Sequence, residues 1–403
     1  MNTKYQLLNH QFEQWIATRK KIHQHPELAF NEFQTSALVA KQLQLFGLHV
    51  EQKIGQTGVI GVLRGNKTNS KFFKRIGIRA DMDALPIQEA NQFKHASIHP
   101  GIMHACGHDG HTAILLATAE ILASNPEFNG EIIFIFQPAE EGGYAGAQAM
   151  IDAGLLNKYP LDAIFALHNW PGLPVGEIAI HPGPVMASSN EFHVTIHGKG
   201  CHAAMPDLGI DPILIGAQLI QSFQSIISRN LKPLEPGVIS VTQFNAGYAI
   251  NVIPEQATLS GTVRTYSNDA LNLIEERIKT TALQLCQAFG AQAEITFRRA
   301  YPPTINDSKT ANRLATRLEN SGQFKTIHKN LSPTMGSEDF SFFLQEVPGV
   351  YIWLGNGEGG HRETGHGIGP CMLHNPSYDF NDTLIKEGIN LWLTVVEEFL
   401  DSV

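Results

Sequence analysis

The sequence predicts an α/β protein: a mostly parallel sheet with helices on both faces, into which a smaller α+β domain is inserted. Three observations lead to this prediction. Buried strands alternate with helices in the first part of the chain, the order changes to β-α-β-β-α-β in the middle, and the alternation resumes near the end. A length of 403 residues exceeds what one hydrophobic core usually holds, so two domains are expected.

The first elements are helical. Apolar residues recur at helical spacing within 11–46, Gly47 marks a helix end, and the proline of HPE at 25–27 interrupts the region. The run GEIIFIFQ at 130–137 is almost continuously apolar, which is typical of a strand buried on both faces of a parallel sheet. The helical stretch GHTAILLATAEILASNP precedes it and the strand LDAIFALHNW follows, so βαβ units are predicted.

The middle segment, 187–298, has a different pattern. EFHVTIHGKG alternates like a half-exposed strand, and a helix, two strands, an amphipathic helix and a last strand follow it. This order predicts a ferredoxin-like unit. The flanking parts, 1–186 and 299–403, would then form one discontinuous α/β domain.

Composition and charge narrow the class of protein. Hydrophobic residues make up 43% and charged residues 17%, with a formal net charge of −9, which is ordinary for a globular protein. We expect neither a nucleic-acid partner, which would need clustered Lys and Arg, nor a membrane span, which would need roughly 18 apolar residues in a row. Widely spaced cysteines and an N-terminus without the apolar core of a secretory signal predict a reduced, cytoplasmic protein.

The stretch MHACGHDGH at 103–111 concentrates one cysteine and three histidines. A metal site usually needs ligands from distant parts of the chain, and four other segments supply candidates: RADMDALP, FQPAEEGG, ALHNWPG and LHNPSYDF. Asp81, Glu140 and His168 each follow or end a predicted apolar strand, and open α/β sheets bind ligands beyond the carboxyl ends of their strands. Thiolate, imidazole and carboxylate together suit Zn²⁺ or a similar divalent ion.

Each candidate also has a structural interpretation. A cysteine is often a small buried hydrophobe, and a histidine at a strand end often only makes hydrogen bonds. Asp81 and Asp83 would then serve turns or helix caps. His104 and His111 are expected in a loop or beside the ligands rather than as ligands. Spacing alone nevertheless favours a metal site, because five separate segments carry metal-binding residue types.

The adjacent glutamates of FQPAEEGG indicate catalysis rather than binding alone. Neighbouring residues in an extended segment point in different directions. One carboxylate can therefore bind a metal while the other acts on water as a general base.

These motifs, together with GKGCHAAMP, NVIPEQATLSGTVR and GSEDF, resemble the M20 family of metallopeptidases. The resemblance is to its amidohydrolase branch of hippurate hydrolases, N-acyl-amino-acid amidohydrolases and plant auxin-conjugate hydrolases, and it covers nearly the whole chain in family order. It implies five metal ligands: Cys106, His108, Glu141, His168 and His374. Five ligands are too many for one tetrahedral ion, which implies two divalent ions, zinc or manganese, with cobalt or nickel as alternatives.

The resemblance also implies roles for other residues. Glu140 matches the general base, and Asp83 matches the acidic residue that supports the metal-binding region. The inserted segment resembles a lid and dimerisation domain, so a homodimer or higher oligomer is expected. Within it, His202, Asn251 and Arg264 match positions that reach the substrate, sometimes across a dimer interface. A donor such as His202 suits an amide oxyanion, and Arg264 suits a substrate carboxylate.

The expected reaction is hydrolysis of the amide that joins an acyl group to an amino acid. A dipeptidase or an N-acetyl-diaminopimelate deacetylase with the same centre is the alternative, and a non-catalytic metal- or amino-acid-binding protein is a remote one, against which Glu140 argues. Cys201 and Asp207 depart from the family pattern, where glycine and histidine are common. These departures leave the ligands intact and concern lid packing and substrate preference. The sequence names neither the acyl group nor the native metal.

Overall fold

The computed structural model describes residues 9–67, 73–358 and 371–401. The chain divides into two compact units. The first comprises Met1–Gly183, Ile305–Ser332 and Asp339–Val403, and the second comprises Pro184–Thr304 and Pro333–Glu338. The role of 187–298 as a lid and dimerisation domain stays a prediction.

The helices and strands follow in chain order. The first segment contains α1 (Asn9–Gln24), α2 (Phe33–Leu45), β1 (His49–Ile54), β2 (Gly58–Arg64), β3 (Arg75–Asp81), α3 (His108–Ser124), β4 (Glu131–Gln137), α4 (Gly146–Asp152), α5 (Leu155–Lys158), β5 (Ala163–Pro171) and β6 (Glu177–Ala179). The middle contains β7 (Gly183–Met186), β8 (Ser189–His197), β9 (Cys201–His202), α6 (Pro212–Asn230), β10 (Gly237–Ala246), β11 (Val252–Ile253), β12 (Gln256–Thr265), α7 (Asn268–Ala288), β13 (Gln292–Tyr301) and β14 (Thr304–Asn306). The last segment contains α8 (Ser308–Ser321), β15 (Thr326–His328), α9 (Ser341–Glu346), β16 (Gly349–Gly357) and α10 (Leu384–Val396).

The first unit is built on an eight-stranded sheet in the order β1-β2-β4-β3-β5-β16-β6-β15. Its centre is parallel, because β3 pairs with β4 and β5, and β5 pairs with β16, in the same direction. β1 and β2 join one side in antiparallel pairing. The predicted α/β fold with a mostly parallel sheet is confirmed.

Both faces of this sheet are covered. Along β4, Ile132, Phe134 and Phe136 join a core with residues of α2, α3 and α10, whereas Ile133 and Ile135 are buried on the opposite face. The apolar run that predicted a strand buried on both faces therefore describes β4 correctly. The predicted helical region 11–46 is also confirmed, with α1 and α2 separated at the HPE segment.

Neighbouring strands end side by side where the candidate ligands lie. Asp81, the last residue of β3, pairs with Gln137, the last residue of β4. Helix α3 begins there, after Gly107, which has a left-handed φ of 89°. A β-carbon at Gly107 would lie 2.2 Å from Oδ1 of Asn169, so only glycine permits this close approach of α3 to β5.

The second unit contains a four-stranded antiparallel sheet in the order β10-β12-β8-β13. Phe192, Val194 and Ile196 of β8 pack in one core with buried residues of α6 and α7. The element order and the strand order confirm the predicted ferredoxin-like unit. Across the part of the chain that the structure describes, no helix combines the length and apolar character that crossing a bilayer requires.

Candidate metal centre

Three of the five predicted ligands meet at the carboxyl end of the central strands. Cys106 and His108 flank the start of α3, and Glu141 lies in a short 3₁₀ turn (Glu141–Gly143) after β4. Their ligand atoms all lie within 4.8 Å of one another. Cys106 and His108 are buried and Glu141 is partly buried, so the group is shielded from bulk water.

The other two predicted ligands contact this group. Nε2 of His168 lies 3.4 Å from Sγ of Cys106. Nε2 of His374 lies 3.0 Å from Oε1 of Glu141. His374 has a left-handed φ of 64°, and its amide donates a hydrogen bond of 2.8 Å to the carbonyl oxygen of Ala105. The structure thus joins all five predicted ligands into one connected group.

Hydrogen bonds orient the two buried imidazoles as metal ligands require. Nδ1 of His108 donates to the carbonyl oxygen of Asp83 at 2.8 Å, and Nδ1 of His168 donates to the carbonyl oxygen of Asn169 at 2.8 Å. Each bond leaves the Nε2 lone pair available to a cation. Nε2 of His108 is buried and makes no hydrogen bond to any described residue, so these residues fit a bound metal.

The electrostatics of the site also favour a cation. Burial, followed by the carboxylates of Glu141 and Glu140, raises the pKa of the Cys106 thiol well above its usual range, so a thiolate here needs a nearby positive charge. Burial opposes the charged form of His108, yet the Asp81 and Asp83 carboxylates raise its pKa to about 10. The negative charge that favours a proton on His108 would also favour a divalent ion at the same place.

His168 has the opposite tendency. Burial and then the nearby His111 hold the pKa of His168 well below its usual range, so its imidazole stays neutral. A neutral imidazole is the form that binds a metal.

Asp83 fixes the backbone of the two adjacent glutamates. Its Oδ1 accepts the amide of Glu140 at 3.1 Å, and its Oδ2 accepts the amide of Glu141 at 2.9 Å. Glu140 is buried and lies outside the group of Cys106, His108 and Glu141. The two carboxylates therefore start from a fixed backbone, and only Glu141 joins the compact ligand group.

His111 belongs to the surroundings of the site. It lies in the first turn of α3, not in a loop, and its Nδ1 donates to Oδ1 of Asp81 at 2.6 Å. Its Nε2 lies 2.7 Å from Oδ1 and 3.1 Å from the backbone nitrogen of Asn169. His111 and Asp81 lie within 4.8 Å of ligand atoms of His108 and His168, but both nitrogens of His111 already have protein partners. We therefore assign His111 a supporting position, as expected for a residue beside the ligands.

Sequence reasoning missed two buried ion pairs that share Arg79 and lie beneath the site. Nη1 of Arg79 lies 2.7 Å from Asp81, and Nη2 lies 3.1 Å from Asp339. Asp339 also accepts the side-chain amide of Gln137 at 2.7 Å and the backbone amide of Ala147 at 2.9 Å. The available signal was a charged residue inside the apolar strand RIGIRAD, because a buried arginine needs a carboxylate partner.

The predicted substrate residues lie in the second unit. His202 and Asn251 line one cavity of about 650 Å³, next to β9 and β11. Arg264 lies on β12 and does not line this cavity. Its Nη1 is buried without a hydrogen-bond partner among the described residues, and burial lowers the pKa of Arg264.

The fold and the site define a class: a metal-dependent α/β hydrolase with its candidate ligands at the ends of the central strands. The chain matches the Peptidase family M20/M25/M40 over residues 77–398 and therefore belongs to that family.

Individual relatives support the same family. The chain is 39% identical over 382 residues to a hippurate hydrolase of Campylobacter jejuni, covering 95% of each protein. It is 39% identical over 350 residues to thermostable carboxypeptidase 2 of Saccharolobus solfataricus, covering 86% of each. A solved structure of the YXEP protein of Bacillus subtilis, described as a dinuclear metal binding peptidase from the M20 family, is similar with a TM-score of 0.82 and 34% identity, covering 97% of this chain and 99% of the other.

Proposed function

We propose that this protein hydrolyses the amide bond of N-acyl amino acids and releases a carboxylic acid and a free amino acid. The observation that carries the proposal is the arrangement of the adjacent glutamates. Asp83 holds both of their amides, Glu141 joins Cys106 and His108, and Glu140 lies outside that group. The hippurate hydrolase relative, whose name describes cleavage of an N-acyl amino acid, supports the same reaction.

Cys106, His108, Glu141, His168 and His374 would hold two divalent ions. Zinc and manganese suit this mixture of ligands, and the dinuclear metal binding relative supports the number. When bound, such ions polarise a carbonyl group and lower the pKa of water.

Glu140 is the proposed general base. It takes a proton from the attacking water, the water oxygen bonds to the carbonyl carbon, and the C–N bond then breaks as Glu140 returns the proton to the leaving amine. His202 is proposed to donate to the oxyanion, Asn251 to contact the substrate, and Arg264 to pair with the carboxylate of the amino acid.

A carboxypeptidase activity is the second candidate, because the Saccharolobus relative carries that name. Both activities cleave an amide whose leaving group is an amino acid with a carboxylate. A dipeptidase and an N-acetyl-diaminopimelate deacetylase would use the same centre on other substrates.

We further propose that the second unit acts as a lid and pairs subunits in a homodimer or higher oligomer. Tyr248 and Ile250 are 86% and 104% exposed in this unit, and large apolar side chains at such positions suit a subunit interface. A cytoplasmic location is also proposed, since the four cysteines, all within the described ranges, carry thiols rather than disulfides.

The test is a substrate panel with the purified protein. Stripped protein is assayed before and after addition of Zn²⁺ or Mn²⁺ with N-benzoylglycine, N-acetyl amino acids, dipeptides and N-blocked peptides. We expect metal-dependent release of amino acid from the N-acyl amino acids. Preference for long N-blocked peptides would favour the carboxypeptidase, and metal binding without any turnover would leave only the binding protein.

A further inference from the structure

Two carboxylates accept hydrogen bonds from three consecutive backbone amides, those of Ala139, Glu140 and Glu141. Asp83 accepts the amides of Glu140 and Glu141. The amide just before them, that of Ala139, donates to Oε1 of Glu32 at 2.9 Å. Glu32 lies in the first unit, far from this segment in sequence, so the contact forms only in the folded protein.

Glu32 occupies the N-cap position of α2, but its side chain does not cap that helix. It is the N-cap residue of α2, where a side chain normally accepts an amide of its own helix. Its side chain makes no such bond to any described amide of α2. Glu27 does this instead, accepting the amides of Gln34 at 3.0 Å and Thr35 at 2.9 Å. The Glu32 carboxylate is thereby left to the Ala139 segment.

The surroundings of Glu32 keep its carboxylate in one position. Glu32 is buried, Oε1 also accepts the amide of Phe30 at 2.9 Å, and the hydroxyl of Thr57 donates to Oε2. A buried carboxylate is costly unless hydrogen bonds satisfy it. The amides of Phe30 and Ala139 and the hydroxyl of Thr57 are among its partners and hold it toward Ala139.

Ala139 needs such support. It has a left-handed φ of 52°, a conformation that residues with a β-carbon rarely adopt. Such a conformation persists only where its surroundings fix it. The backbone direction at Ala139 decides where the next two side chains, those of Glu140 and Glu141, start.

We infer that Glu32 is a positioning residue for the reaction, because its bond to the amide of Ala139 fixes the turn that orients Glu140 and Glu141. The inference rests on the proposed function of these two glutamates. It adds a buried carboxylate that is neither a metal ligand nor the base. Glu32 acts through the backbone and does not touch the substrate.

The protonation behaviour of Glu32 agrees with this role. Burial, and to a smaller extent the charge of Asp83, raises the pKa of Glu32 to about 7, while the Thr57 hydroxyl lowers it. What Ala139 needs is an acceptor oxygen at this place, and the amide of glutamine supplies one at the same reach. Glutamine is therefore the conservative replacement, and aspartate, one methylene shorter, is the replacement that keeps the charge and loses the reach.

Hydrogen exchange tests the positioning without any assay of turnover. Peptides that contain 138–145 are followed by mass spectrometry in the wild type and in Glu32→Ala, Glu32→Asp and Glu32→Gln. We expect exchange in this segment to accelerate at least about tenfold in the alanine and aspartate variants, as for a lost backbone hydrogen bond, and to stay near the wild type in Glu32→Gln. The control is Glu27→Ala, which removes the cap of α2 and should accelerate exchange at 34–35 only.

Steady-state kinetics at saturating metal then test the consequence. We expect kcat to fall roughly 10–100-fold in Glu32→Ala and Glu32→Asp, with KM changed less than about threefold, a loss of the size seen when a residue that supports metal ligands is removed. Glu32→Gln should keep kcat near that of the wild type. The inference is overturned if exchange in Glu32→Ala and Glu32→Asp equals that of the wild type, or if Glu27→Ala loses as much kcat as Glu32→Ala. If Glu32→Ala does not fold, the comparison of Glu32→Asp with Glu32→Gln tests the inference alone. A wild type without turnover refutes the proposed function instead, and the exchange result still decides the positioning.

Discussion

Oε1 of Glu141 lies 3.0 Å from Nε2 of His374, although one residue follows β4 and the other comes from the C-terminal part of the chain. Carboxylate and imidazole are both ligands for zinc and manganese. Their contact completes a group that also contains Cys106, His108 and His168. Metal binding should therefore depend on residues from widely separated segments.

We expect about one to two divalent ions per chain, as in two-metal hydrolases. Elemental analysis of the purified protein and titration of metal into the stripped form measure this number. Cys106→Ala should weaken binding because it removes the thiolate. Cys286→Ala is the matched control, since Cys286 is equally a buried thiol but lies in the core of the second unit. Unchanged affinity in Cys106→Ala would refute the proposed site.

The adjacent glutamates should separate metal binding from catalysis. Glu140→Gln should abolish turnover and leave metal affinity nearly intact, because glutamine cannot take a proton from water. Glu141→Gln should weaken metal binding, because it removes an anionic ligand. The two variants are each other's control, and calorimetric titration with parallel kinetics distinguishes them. Equal metal loss in both would contradict the assignment, and the reverse pattern would exchange the two roles.

Arg264 and His202 should differ in how they depend on the substrate. Arg264→Ala should lower kcat/KM for N-acyl amino acids by about 10–100-fold, and much less for the matching amino-acid amides, which lack the carboxylate. His202→Ala should lower it for both, because the oxyanion is common to them. Arg298→Ala is the control, since Arg298 is 57% exposed and pairs with Glu191 on the same sheet. Wild-type behaviour of both variants on both substrates would refute these roles.

The stability of the protein should fall between pH 6.5 and 9. His23 is buried, with Nδ1 2.9 Å from Asp109 and Nε2 3.2 Å from Glu89. Burial opposes its charge, but Asp109 and Glu89 outweigh burial and raise the pKa of His23 to about 9. The folded state then holds a proton that the unfolded state loses near pH 6.5, so this contribution is complete below pH 6.5 and lost as pH rises through 9.

Urea unfolding across this pH range measures the effect. The contribution of His23 is on the order of 3 kcal/mol of unfolding free energy at most. His23→Gln should reduce the pH dependence by this contribution. His49→Gln is the control, because His49 is an exposed histidine beside Glu51, and it should leave the pH dependence unchanged. A slope that is the same in His23→Gln and the wild type would contradict the prediction.

The buried pair beneath the site should carry much of the local stability. Arg79→Met leaves Asp81 and Asp339 without their shared cation, and breaking a buried pair in this way costs about 3–5 kcal/mol. Arg317→Met removes a partly exposed arginine beside Glu397 and should cost about 1 kcal/mol or less. Denaturant unfolding compares the two. A similar small loss in both would mean that Arg79 is replaceable.

The sequence predicted the parts of the site that lie on regular elements. Strand ends are visible in the pattern of apolar residues, so Asp81 and His168 could be expected at the same edge of the sheet, and their side-chain ligand atoms lie within 4.8 Å of each other. Helical spacing likewise located α3, although the predicted helical stretch begins at Gly110 and the observed helix begins two residues earlier, at His108. The second unit could be recognised because its element order alone defines its topology.

Contacts between residues far apart in the chain could not be predicted from the sequence pattern. Glu32 looks like a helix cap, and only the folded chain shows that Glu27 caps α2 while Glu32 reaches Ala139. The partner of Arg79 could be expected to be acidic, yet nothing in the spacing selects Asp339 among the other carboxylates. The left-handed conformations of Ala139 and His374 carry no residue-type signal, because neither is a glycine.

The pair of Arg79 and Asp339 also bears on the order of folding during synthesis. A ribosome releases β3 and its buried arginine long before it reaches Asp339, which lies 260 residues further along the chain. Until then the nascent α/β core contains a cation without its second carboxylate, and the last candidate ligand, His374, is still untranslated. Contacts between such distant residues form late and slow the folding of a domain. The group of candidate ligands is thus complete only after the segment around His374 has been made, so a chain terminated ahead of it would lack the contact between His374 and Glu141.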